Sequence, residues 1–89
     1  MAYRSQDLSA IAYANGFTLW HYRTGDSAAE VDNSGYFNAA SRMVRVGDFI
    51  MLSAGASGVP SHGIVVVDSN ANGSVDVTNL TSFGAFNTD

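Results

Sequence analysis

The sequence predicts a small, mainly β single domain, a sandwich or barrel with one or two short helices. Three observations point there. Short strand-forming runs recur at roughly ten-residue spacing, with Asn-Gly and Gly-rich turns between them. One run, Phe17-Thr18-Leu19-Trp20-His21-Tyr22-Arg23, alternates in the manner of a strand. Another, Ile64-Val65-Val66-Val67, is wholly β-branched or apolar.

Residues 1–89 are read as one β-rich domain. Residues 1–14 show no clean period. Leu8, Ile11 and Ala12 fit one helical turn capped by Ser5 or Asp7, or else an extended N-terminal arm. Asn15-Gly16 is a turn signal, since both residues tolerate positive φ. In the next run Phe17, Leu19, His21 and Arg23 point one way, and Thr18, Trp20 and Tyr22 the other. Neither side is plainly polar, which predicts cover on both. Thr24-Gly25-Asp26 breaks the strand. Ser27-Ala28-Ala29-Glu30 fits a capping box and predicts one or two helical turns. Asn33-Ser34-Gly35 is a turn. Phe37, Ala40, Met43 and Val44 then recur at helical spacing, predicting a second short helix with Arg42 outside. Gly47-Asp48 ends that helix and opens a strand over 49–52. Residues 53–61, with the single Pro60, read as a flexible loop. The β-branched strand over 63–68 is expected to be buried on both faces. Residues 70–73 form a hairpin turn into a return strand over 74–79, with Val75 and Val77 on one face. Residues 81–89 are expected to be a flexible C-terminal tail, with Phe83 and Phe86 as its docking points.

Composition narrows the function classes. The formal charge is −4, Lys is absent, and the positive residues are Arg4, Arg23, Arg42 and Arg45. Nucleic-acid binding needs a dense basic stripe, so none is expected. Charged residues make up 13% of the chain, about half the usual share, and so weakly charged a surface resists association poorly. Cysteine is absent, which removes disulfide staples and thiolate metal sites. Small domains short of core often gain stability by oligomerising, so a homo-oligomer is expected. The start has no apolar core run of the secretory kind, and no stretch approaches a membrane span. Synthesis in the cytoplasm and no membrane partner are the expectations.

Several motifs resemble chemistry. Asp68, Asn70, Asn72 and Gly73 match positions of a calcium loop, with Asp76 further on, but Asn79 stands where a bidentate Glu belongs. Asn-Gly between two Val-rich runs is also a strong hairpin signal, and the hairpin is the preferred reading. Gly47 to Leu52, followed by Ser61-His62-Gly63-Ile64-Val65, superficially resembles the core of bacterial cell-wall cysteine peptidases. Asn33 occupies the nucleophile's place in that pattern, and Asn forms no thiolate. His21 and His62 have no Cys or clustered carboxylate with them, so no metal is expected. Ser61 and His62 are strand neighbours, pointing to opposite faces. No catalytic residue and no cofactor is expected. Phe17, Trp20, Tyr22, Tyr36, Phe37, Phe83 and Phe86 are the candidate interface or ligand-platform residues, as packing centres or as rings stacking on a glycan.

Gly16-Phe17-Thr18-Leu19-Trp20-His21-Tyr22-Arg23-Thr24 carries a resemblance, together with Gly35-Tyr36-Phe37, Arg45-Val46-Gly47-Asp48-Phe49-Ile50 and Val75-Asp76-Val77. These segments resemble a family of small virion-associated proteins of tailed bacteriophages, prophages and gene transfer agents, often encoded near head genes. The Phe-x-Leu-Trp-His-Tyr core is the specific part. The resemblance implies a non-enzymatic virion component made in the host cytoplasm: a capsid decoration, vertex spike or fibre-associated part. Its expected partners are further copies of itself and other virion proteins such as the major capsid protein. Recognition of a host surface glycan is the alternative.

Overall fold

Asn15 and Gly16 both adopt positive φ, at 53° and 83°. They fold β1 (Leu8–Ala14) back antiparallel onto β2 (Phe17–Arg23). The computed structural model describes residues 3–56, 58 and 60–83. After β2 the chain leaves the sheet and returns as β3 (Phe49–Ala54), which pairs with β2 in parallel, Trp20 beside Ile50 and Tyr22 beside Leu52. β4 (Ser61–Ala71) runs back antiparallel. Asn72 and Gly73, at φ 55° and 80°, turn it into β5 (Ser74–Val77). β6 (Thr81–Ser82) then pairs with the first half of β4. The strand order is β1-β2-β3-β4-β5 with β6 also on β4, one sheet of six strands. The path ends at β1 and β5, so the sheet is open and not a closed barrel.

Parallel neighbours cannot be joined by a hairpin, so residues 24–48 cross over the sheet. This crossover builds the second layer. It begins with α1 (Ala28–Val31), where Ser27 Oγ accepts from Glu30 N–H and the Glu30 carboxylate accepts from Ser27 N–H, the capping box expected from sequence. Val31, Phe37, Ala40 and Val44 then lie against Trp20, Tyr22, Ile50, Leu52, Val65, Val67, Val75 and Val77, all buried. The predicted second helix is shorter than its spacing suggested. It is a single 3₁₀ turn, Asn38–Ala40, followed by irregular turns. Tertiary bonds hold this segment: Asn70 Nδ2 donates to the carbonyls of Ser41 and Val44, and Asn38 Oδ1 accepts from Val75 N–H. Met43 turns outward, 44% exposed.

The chain has this one crossover among its described connections, and it covers one face. Trp20 and Tyr22 are buried beneath it, while Phe17, Leu19, His21 and Arg23 face away. Cover on both sides of β2 was the expectation; only one side has it. β4 behaves alike, with Val65 and Val67 buried and Ile64 and Val66 half-buried on the other face. Of the two N-terminal readings, a helical turn over Leu8, Ile11 and Ala12 does not form; these residues are extended. Leu8–Ala14 is a full strand, irregular in register between Ala10 and Ala12. In the expected tail, Thr81 and Ser82 form β6, and Phe83 N–H donates to His62 O. Phe86 lies outside the described residues.

Candidate functional site

Among the described residues, two buried polar centres and one bare sheet face are the candidate places for function. The first centre is Asp48, 2% exposed. Gly47, at φ 93°, makes the turn that delivers it. One carboxylate oxygen accepts from Thr18 N–H, and the other from Trp20 Nε1–H and Arg45 N–H, each at 3.0 Å. Asp48 therefore fastens β2 to the start of β3 from beneath the crossover. All three donors are fixed by the fold.

The second centre is a chain of phenols. Tyr36 OH donates to Asp26 Oδ2 at 2.6 Å. That uses its only proton, so Tyr22 OH, 3.0 Å away, donates to Tyr36. Tyr22 OH in turn accepts from Arg4 N–H. Burial, then the bonds to Asp26 and Tyr22, hold the Tyr36 phenol far above its usual range. Tyr3 stacks on Tyr22 with ring centroids 5.5 Å apart, and burial raises its phenol as well. Tyr3 OH and Asp26 Oδ1 are buried without partners. A phenol pushed upward stays protonated at neutral pH, which keeps Tyr36 as the donor to Asp26. The centre locks residues 3, 22, 26 and 36 together.

The platform residues read from sequence divide between the two faces. Trp20, Tyr22 and Phe37 are 8%, 0% and 1% exposed, covered by their own chain and removed from any surface platform. Tyr36 is half-buried with its hydroxyl engaged. Phe17 and Phe83 are 37% and 51% exposed; Phe17 belongs to the bare side of the sheet, and Phe83 follows β6. Phe17 meets Phe49 edge to face at 5.3 Å.

The chemical resemblances fall as follows. Residues 68–71 are extended strand, with Asn70 drawn to the Ser41 and Val44 carbonyls. The calcium-like string is thus a strand and a two-residue hairpin, and does not wrap an ion. His62 is exposed on the bare face, directly across from Ser53. No hydrogen bond joins those side chains among the described residues. Asn33 sits on the crossover just past α1, on the covered side. His62 stands on β4, so the two residues of the peptidase-like pattern belong to different elements, and no hydrogen bond is seen between them among the described residues. His21 lies two strands from His62 on the bare face, and no metal-holding group of three His, Cys, Asp or Glu residues forms among the described residues.

Sequence reasoning missed Asp48 as a buried anchor, and missed Phe49, Met51, Ile64 and Val66 as neighbours of Phe17 and Leu19 on one surface. Alternation within the strands marked which residues share a face, and nothing local marked which strands adjoin.

The segments that carry the family resemblance meet in this interior. Trp20 bonds Asp48, Tyr22 bonds Tyr36, and Gly35 N–H donates to Val75 O at 2.9 Å. Comparison with protein-family models, curated proteins and solved structures found no match.

Proposed function

We propose that this protein is a non-enzymatic structural component of a phage-like particle, acting as a homo-oligomer in a capsid decoration, a vertex spike or a fibre-associated part. One observation supports the reading most. The four segments that resemble virion-associated proteins bond to one another across the chain, through Trp20–Asp48, Tyr22–Tyr36 and Gly35–Val75. The pattern is thus a way of building a stable small module, and its buried polar members, Trp20, Tyr22 and Asp48, are tied up in holding it together. Such a module suits a role in which contacts do the work. Glycan recognition through Trp20 or Tyr36 has little support, because the first ring is buried and the second is half-buried with its hydroxyl engaged.

The test is to purify particles by density gradient from a host carrying the encoding genome, and to quantify this chain against the major capsid protein by mass spectrometry. A fixed ratio set by capsid or tail symmetry is the expected result. Absence from the particles would overturn the reading.

A further inference from the structure

The bare face of the sheet has an ordered surface. Leu19, Phe49 and Val66 stand side by side across β2, β3 and β4, with Met51 and Ile64 paired in the next row and Phe17 beside Phe49. Phe17, Phe49 and Met51 remain 37%, 40% and 39% exposed. The two ends of this apolar band carry opposite charge. Arg23 adjoins Ser53, which faces His62, and His21 lies one row below. At the other end is Asp76 on β5, set between buried Val75 and Val77 and so turned to the bare side.

We infer that this face binds a second copy of the chain, bare side to bare side, and this rests on the assembly reading above. Charge selects that occupant. A two-fold axis in the plane of the interface, at right angles to the diagonal from Arg23 to Asp76, lays Arg23 of each copy over Asp76 of the other, and stacks the apolar rows between them. Size agrees. β2, β3 and β4 over about six residues each, with the four residues of β5 beyond them, give a footprint of roughly 350 Å² at a strand spacing of about 4.8 Å. The corrugated side-chain surface is larger than its footprint, so a pair buries on the order of 1,000 Å², about the threshold for a specific interface. Architecture agrees as well. Two sheets stacked about 10 Å apart make a sandwich, and the second copy supplies the layer that the single crossover leaves out.

Sedimentation equilibrium of the intact chain, from micromolar to millimolar, tests this. The expected mass rises from monomer to dimer. Met51→Glu weakens association about tenfold or more. Arg23→Glu and Asp76→Arg each weaken it, and the two together restore it. Trp20 emission and a thermal melt verify folding independently, since Trp20 lies on the opposite face. Should Met51→Glu not fold, the charge exchange decides alone. A chain that stays monomeric throughout, or a dimer indifferent to these substitutions, overturns the inference. A monomer that is nonetheless a fixed component of purified particles overturns the inference and leaves the assembly reading standing. A dimer absent from particles does the reverse.

Discussion

Asp48 accepts three hydrogen bonds in a setting that is 2% exposed. Replacing it by Ala strands Thr18 N–H, Trp20 Nε1–H and Arg45 N–H, and the expected loss is about 3 kcal/mol. Urea unfolding followed by Trp20 emission measures it. Asp48→Asn keeps one acceptor and recovers part of the loss. Tyr36 carries a pH signature. Its phenol is raised above the ordinary value of 10.0 by burial and by the bond to Asp26. The fold therefore favours the neutral form: this contribution is complete below pH 10 and is lost as pH climbs above it. Stability should fall in the alkaline range, and Tyr36→Phe should flatten that fall. The same variant removes the donor to Asp26 Oδ2 and costs about 1–3 kcal/mol at neutral pH. Some alkaline slope survives, because the Tyr3 phenol is also raised. Neither residue's role was legible in sequence. Gly47-Asp48 reads as the opening of a strand, and nothing nearby shows that the carboxylate serves Thr18 and Trp20, which are distant in the chain.

Among the elements, those set by adjacent residues were legible. The capping box at Ser27 and Glu30 and the two Asn-Gly hairpins involve groups only a few residues apart, and each formed where expected. β1 was read only as an extended arm or a helical turn, because Leu8–Ala14 is rich in small residues and does not alternate cleanly. A hairpin turn at Asn15-Gly16 nevertheless needs a strand on either side, and that was the available signal. The pairing of β2 with β3 was illegible, since parallel order follows from a long connection and not from local pattern. β6 depends on a close approach. A Cβ at Gly63 would lie 2.0 Å from the Thr81 carbonyl oxygen and 2.8 Å from Leu80. Gly63→Ala should therefore push β6 away. The Phe83 amide, bonded to His62 O, should lose hydrogen-exchange protection, with a global loss of about 1–3 kcal/mol.

The whole molecule has one layer of cover on one sheet. Because Trp20 is covered by its own chain, its emission should be unchanged on dilution, even across a range where the mass falls. A fluorophore on a Cys introduced at Met51 should respond to the same dilution, and the cysteine-free chain makes that label specific. A concentration-dependent Trp20 spectrum would mean that subunit contacts reach the crossover side. The crossover also sets the order of events in folding. The β1–β2 and β4–β5 hairpins close short loops and form early, on the microsecond scale. Parallel pairing of β2 with β3 has to wait until residues 24–48 have been drawn into a loop, and that entropy is lost before the pairing repays it. Asp48 joins the two ends of that loop. Its bonds to Thr18 and Trp20 should already be present at the barrier, so in stopped-flow experiments Asp48→Ala should slow refolding far more than it hastens unfolding.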